Sequence, residues 1–245
     1  MRRDTPPEHW TAARKRIVAA CAVLIALAGF SVARFAPLFI DGDDYAAVES
    51  IERRADFRDP RLLAAAWQLP VAATYGAGRF EYQSTPSFCG PASAANLLRS
   101  MGFAATQATV IEGTPYDPWF GVLIGGLTLD EFADLLRTKT ARPTTIIRDA
   151  TLREFRAHLQ QANDPQRRYV VNFHRGPLFG RGHGHFSPVL GYDASRDLVF
   201  VGDVNEAYGP FLVSSERLWH ATNTVDGATG KKRGLVLVNL GDRTR

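Results

Sequence analysis

Three residues of this 245-residue chain can do chemistry together: Cys89, His185 and Asp203. Cys89 stands in Phe88-Cys89-Gly90-Pro91-Ala92-Ser93, His185 in Gly184-His185-Phe186-Ser187-Pro188, and Asp203 after Val201-Gly202. A thiol attacks a carbonyl only as thiolate, so it needs a base beside it and a positive local field. Histidine supplies the base, and a carboxylate fixes which ring nitrogen faces the sulfur. Gln83, just upstream, can add a side-chain amide to the Cys89 backbone N–H and stabilise an oxyanion. Taken singly, each residue has a plainer reading: a buried thiol, a strand histidine, a turn carboxylate, a solvated glutamine. Taken together they point to acyl transfer through a thioester.

Positioning them requires particular elements. Residues 89–101 read as a helix, with Pro91 in its first turn and Gly102 as its stop, so Cys89 sits where the helix dipole favours a thiolate. Residues 169–173, 186–192 and 198–204 read as strands, the last two joined by the hairpin signal Asp193-Ala194-Ser195-Arg196-Asp197. That hairpin brings His185 and Asp203 onto neighbouring strands. Residues 234–240 close the sheet, and 215–221 form a short helix. Thr128-Leu129-Asp130-Glu131 and Thr151-Leu152-Arg153-Glu154 are capping boxes that start two more helices. Ahead of the cysteine, 43–55 and 61–68 read as helices and 70–87 as mostly loop. Helices first and strands second make an α+β fold.

Other candidates surround the triad. Arg175 follows a strand and either meets a substrate carboxylate bidentately or is a surface arginine. His183 and His185 form a His-x-His pair, but no thiol or carboxylate clusters with them, so no metal site is expected. Lys231-Lys232-Arg233 reads as a solvated turn.

The bulk numbers exclude little else. Formal charge is +4, and three of those charges come from residues 1–33 (Arg2, Arg3, Arg14, Lys15 and Arg16 against Asp4 and Glu8). The pI of 9.3 therefore marks no basic stripe in the remainder, and nucleic acid is not an expected partner. There are two cysteines, and Cys21 lies in the uncharged run 17–33, so an internal disulfide is not expected. That run follows Arg14-Lys15-Arg16 and sits at the short end of the ~17–25 residues that span a bilayer. It reads as a cleaved signal ending at Ser31-Val32-Ala33 or as an uncleaved inner-membrane anchor, and otherwise as a buried helix of a soluble protein. In the first two readings the basic flank stays cytoplasmic and the rest is exported, to a periplasm where there is one. The domain reading is 1–33 as n-region plus signal or anchor, 34–74 as linker and N-terminal helices, and 75–245 as catalytic domain.

Over 75–240 the chain resembles the catalytic domain of the phytochelatin synthases. The likeness is densest in 83–102, in Phe173-His174-Arg175-Gly176, in Gly184-His185-Phe186-Ser187-Pro188, and in Thr229-Gly230-Lys231-Lys232-Arg233-Gly234. The resemblance implies a papain-like cysteine protease fold. It makes Cys89 the acylated nucleophile, His185 the acid and base, Asp203 its orienter and Gln83 the oxyanion donor. It implies glutathione as donor, a γ-glutamylcysteinyl thioester and release of glycine. No cofactor is required, and heavy-metal ions such as cadmium stimulate through metal-bound glutathione. Two departures stand out. The chain ends soon after the catalytic domain, without the cysteine-rich extension of plant members. After Asp203, Glu206 stands where plant members are basic near the second substrate, which favours hydrolysis over phytochelatin synthesis. A bacteriocin-type peptidase shares the Gln, Cys-Gly, His and Asp pattern, but not the 229–234 match. A membrane-anchored binding protein with an incidental triad is the reading of a different class.

Overall fold

Six short stretches rich in Val, Ile, Leu, Phe and Tyr build the frame, because such side chains pack well on a pleated, buried surface. In this computed structural model residues 8–40, 55–76, 79–116, 118, 123 and 125–241 are described, with backbone alone for 8–13, 33–40, 55 and 56. The chain divides into two units, 1–42 and 43–245. The first holds α1 (Glu8–Ile40), a helix of 33 residues. Its stretch Arg14–Val32 has a mean hydropathy of 1.9 and is long and apolar enough to cross a membrane. Ile17, Leu24 and Phe30 are exposed on it. Residues 34–40, read as linker, continue this helix. The helix expected over 43–55 lies almost wholly outside the described residues.

In the second unit the strands are β1 (Thr144–Ile147), β2 (Arg167–His174), β3 (Gly184–Asp193), β4 (Leu198–Val201), β5 (Phe211–Ser214) and β6 (Gly234–Asn239). They form one sheet in the order β1-β6-β2-β3-β4-β5, and each neighbouring pair is antiparallel. Side chains alternate between its faces. On one face Tyr169, Val171, Phe173, Val189 and Leu235 pack with Phe155, Phe57 and Leu218. On the other, Val170, Phe186, Val236 and Val238 pack with Leu97, Phe132 and Leu136. Beyond a register shift between Val189 and Gly191, Leu190, Phe200 and Leu212 turn to a third cluster with Val71, Ala72 and Tyr75. β1 and β5 were not expected from the sequence. Both are short and sit at the two edges of the sheet, where pairing rather than a long apolar run defines the strand.

The helices before the cysteine are α2 (Ala55–Arg58), α3 (Pro60–Ala66) and α4 (Pro70–Tyr75). Asp59 caps α3 through its side chain, as its place before a proline implies. α4 corrects the expectation of loop over 70–87: Pro70 starts it, Gly76 stops it at φ 67, and Val71, Ala72 and Tyr75 bury on the sheet. It is too short to show a helical period in sequence. All three pack on β3 or β5.

The remaining helices are α5 (Cys89–Ser100), α6 (Gln107–Ile111), α7 (Leu129–Thr140), α8 (Leu152–Gln160), α9 (Gly176–Phe179) and α10 (Ser215–Thr222). Both expected capping boxes form, Thr128 with Glu131 and Thr151 with Glu154. A third, Thr106 with Thr109, starts α6, and no acid three residues on marks it in the sequence. α5 is buried along almost its whole length. Its Gly90, Ala92, Ser93, Ala94 and Ala95 are small enough to bring the helix backbone close to β3. Ser93 then donates to the Phe186 carbonyl at 3.0 Å, next to His185. The fold is α+β, with the cysteine at a helix start against an antiparallel sheet that carries the histidine.

Candidate active site

Cys89 is the first residue of α5 and is 8% exposed. Phe88 precedes it with no side-chain cap, so the orphan N–H groups of the first turn remain to meet a negative charge. Burial pushes the Cys89 thiol up. The charge of His185 and its hydrogen bond, the Phe186 backbone and Arg175 outweigh that, and the pKa falls below its ordinary value. The thiolate form is thus favoured over that of an ordinary cysteine although the sulfur is nearly dry.

His185, the second residue of β3, pairs across the sheet with Phe173, whose ring meets the imidazole edge-on at 5.7 Å. Its Nε2 lies 2.9 Å from Asp203 Oδ1. Nδ1 is therefore the nitrogen left for the thiol. Burial and Arg175 both push the His185 pKa down, but Asp203 and Cys89 more than reverse this, and it is raised. A thiol lowered and an imidazole raised are the shifts by which each group favours the charged form of the other.

Asp203 is fully buried. It lies two residues past β4, not on the strand as expected, because pairing with β5 ends at Val201. The chain then turns inward, and Gly202 N–H bonds to the Pro188 carbonyl at 2.8 Å. Oδ1 also accepts from Asn205 N–H at 2.8 Å. Burial pushes the Asp203 carboxyl up, yet Arg175 and His185 together hold it below the usual value.

Arg175 corrects the sequence reading. It is neither a surface arginine nor turned to a substrate, but 0% exposed. Its Nη2 lies 2.8 Å from both Asp203 oxygens, and its guanidinium stacks 3.6 Å above the Tyr208 ring. A buried charge needs a paired partner, and Asp203 is the one here. The helix α9 that Arg175 caps ends at Gly180, which takes the left-handed conformation at φ 82. Asp203 thus sits between Arg175 and His185, and His185 between Asp203 and Cys89, in a dry site.

Gln83 lies on the strap 79–88 that leads into α5. Its N–H meets the Val204 carbonyl at 2.7 Å, so the strap touches the loop of Asp203. Its side-chain nitrogen donates to the Thr85 and Pro86 carbonyls at 3.0 and 3.1 Å, in the turn before the cysteine. Glu206 is exposed on the turn after Asp203. Burial raises the Tyr82 phenol pKa, and the Glu206 charge adds to it, so Glu206 faces the strap.

Arg233 was missed. Its place in Lys231-Lys232-Arg233 suggested a solvated turn, but Arg233 alone of the three is buried. It donates to Thr224 Oγ1 and the Val225 carbonyl and lies 3.9 Å from Asp226. Its Nε is buried without a hydrogen-bond partner. A Cβ on Gly184 would come within 2.8 Å of its Nη2, so glycine beside His185 is what admits this cation. The signal in sequence was that Arg233 directly precedes Gly234 and β6, whose Gly234 pairs with Asn172 of β2. Among the described residues no group of three His, Cys, Asp or Glu could hold a metal.

Residues 58–235 match the family described as phytochelatin synthase. Over 178 residues the chain is 33% identical to glutathione gamma-glutamylcysteinyltransferase 1 of Triticum aestivum, covering 65% of this chain and 34% of that protein. It is 30% identical to glutathione gamma-glutamylcysteinyltransferase 3 of Lotus japonicus over 65% of this chain and 36% of that one. The match thus spans about a third of the length of these relatives. Among solved structures it is similar to the peptidase domain of Streptococcus ComA, with 18% identity and a TM-score of 0.44 over 65% of this chain and 96% of that one. The extent of the family match, from α2 to the start of β6, takes in Cys89, His185, Asp203, Gln83 and Arg233 alike: the chain belongs to the phytochelatin synthase family.

Proposed function

We propose that this chain is a cysteine acyltransferase that takes the γ-glutamylcysteinyl group of glutathione and hands it mainly to water. The observation that carries this is the buried Cys89–His185–Asp203 arrangement, with the thiol lowered and the imidazole raised. Cys89 Sγ attacks the carbonyl of the cysteinyl–glycine bond. The oxyanion meets the Cys89 N–H and, in this reading, the Gln83 amide, which gives up one of its bonds to the Thr85 and Pro86 carbonyls as substrate enters. His185 gives its proton to the departing nitrogen, glycine leaves, and a γ-glutamylcysteinyl thioester remains. Neutral His185 then takes a proton from water as the oxygen attacks the thioester, γ-glutamylcysteine leaves, and the proton and thiolate are back in place.

Arg233 and Asp226 support the donor. An α-carboxylate beside an α-ammonium, as at the glutamyl end of glutathione, fits a buried guanidinium with an unpaired Nε near the half-buried Asp226 carboxylate. For the acceptor, a second glutathione brings two carboxylates, and Glu206 meets them with the wrong sign. One such contact costs about 1 kcal/mol in a partly exposed site, roughly fivefold in partitioning. Heavy-metal ions act in this scheme as part of the substrate, carried by glutathione thiolates. The exported placement of the unit 43–245 and anchoring through α1 belong to the same proposal.

The test is the purified full chain with glutathione, its products read by mass spectrometry. Glycine and γ-glutamylcysteine are expected as main products, none of either from Cys89→Ala, and a larger share of longer oligomers from Glu206→Lys. Undiminished turnover in Cys89→Ala overturns the mechanism. Phytochelatins as the dominant wild-type product with excess glutathione and cadmium overturn the preference for water.

A further inference from the structure

Gln107 opens α6, a helix of five residues, yet it is buried where a first-turn residue is usually solvated. It spends both donors and its acceptor oxygen on one target. Its Nε2 donates to Glu81 Oε1 at 2.6 Å and to the Tyr82 carbonyl at 2.9 Å. Its Oε1 accepts from Ser84 N–H at 2.9 Å and Ser84 Oγ at 3.2 Å. These contacts fall on both sides of Gln83 and none on it. The strap is also tied to α5, where Asn96 bonds the Glu81 N–H and carbonyl at 2.9 and 2.7 Å and Arg99 pairs with Glu81 at 2.5 Å. Those α5 bonds reach residue 81 and stop. Beyond it, among the described residues, the strap is held by Gln107, by the Gln83–Val204 bond and by the Gln83 side chain's own bonds to the Thr85 and Pro86 carbonyls, and of these Gln107 is the tie supplied by a side chain from another element.

We propose that Gln107 is a positioning residue: it brackets the backbone around Gln83 and so sets where the Gln83 amide stands relative to Cys89. This rests on the acyl-transfer reading given above. The Gln83 amide acts only on the charge that develops in the transition state, so an error in its placement lowers kcat and leaves substrate binding alone. Removing an oxyanion donor outright costs ~10²–10³ in kcat. Loosening one costs less, on the order of tenfold.

The test compares wild type, Gln107→Leu, Gln83→Ala and the double variant for glycine release. Gln107→Leu keeps the side chain's bulk and removes its bonds. The expected result is a roughly tenfold lower kcat with KM unchanged and an unchanged pH profile of Cys89 alkylation, since His185 and Asp203 set the thiolate. The double variant should be no slower than Gln83→Ala, because Gln107 acts through Gln83. Peptides covering 79–88 should exchange amide hydrogens faster in Gln107→Leu while the β2–β3 peptides do not. That readout needs no substrate, so it judges the inference even where glutathione is the wrong donor. Unchanged exchange over 79–88, an additive double variant, or an alkylation profile that moves with kcat overturns the assignment. A wrong donor shows separately, as wild type that releases no glycine.

Discussion

At the residue scale, the site is a chain of four ionisable groups, each beside one of opposite tendency: Cys89, His185, Asp203 and Arg175. None is exposed beyond 8%, so none is well screened by water. The signs of the shifts fix the pH behaviour. The Asp203 carboxyl is lowered by folding, so its contribution to stability is full above the ordinary carboxylate pKa and is lost as pH falls through the lowered folded value. His185 is raised, so its contribution is full below the ordinary imidazole value and is lost as pH rises through the raised one. The thiolate itself should persist on mild acidification. Alkylation of Cys89 by iodoacetamide should therefore stay fast in mildly acidic buffer for wild type. In His185→Ala it should fall steeply there, because burial then pushes the thiol up against only the Phe186 backbone and Arg175. Equal rates for the two proteins across that range contradict the paired state. Asp203→Ala tests the other end of the chain. It removes the carboxylate that Arg175 and His185 share inside the protein, and breaking a buried ion pair in this way costs about 3–5 kcal/mol. Its thermal melt should therefore fall further than that of Cys89→Ala, and equal melts would contradict the pairing.

At the element scale, the catalytic geometry is a matter of docking α5 against β3. The small residues of α5 permit the approach, and the Ser93 hydroxyl fixes its register on the Phe186 carbonyl at 3.0 Å. Ser93→Ala removes one buried hydrogen bond and leaves an acceptor short, at a cost of about 1 kcal/mol. In a domain of this size that lowers the melting temperature by roughly 2–4 °C. Because the bond lies between the elements that carry Cys89 and His185, glycine release should drop with it, and an unchanged melt would deny the bond its role. Gly234 sets a second docking, of β6 on β1. A Cβ there would lie 2.1 Å from the Ile147 carbonyl oxygen, backbone against backbone. Gly234→Ala should cost at least about 2 kcal/mol, read from denaturant midpoints, since neither partner is a side chain that can swing away.

At the scale of the whole molecule, the chain couples an apolar helix to a catalytic body. In α1 the basic cluster Arg14-Lys15-Arg16 precedes the apolar stretch, and the positive-inside tendency keeps such a flank in the cytoplasm. An alkaline phosphatase fused after Arg245 should be active in a cell with a periplasm. An inactive fusion made in normal amount would overturn the exported placement. On the proposed export and the proposed substrate, glutathione or its metal complexes would have to reach the exported side to be cleaved.

The sequence by itself determined the class of fold and singled out the residues that the structure brings together as the candidate site. Cys89 followed by glycine and proline, the hairpin between His185 and Asp203, and the two Thr-x-x-Glu capping boxes are local signals, because caps, turns and alternation are written in neighbouring residues. Family resemblance carried the same residues to a substrate class. What only the tertiary structure decided concerns residues whose meaning depends on distant partners. Arg175 read equally as a clamp for a substrate carboxylate or as a surface cation until the turn after β4 delivered Asp203 to it. Arg233 was hidden in a basic run until β6 set it against the missing side chain of Gly184. Gln107 carried no signal at all, since a glutamine's four hydrogen-bonding positions acquire a target only when α6 packs on α5 and the strap passes between them. Local code fixes elements, whereas burial of a charge or an amide is permitted only where the whole fold brings its partner within about 3 Å.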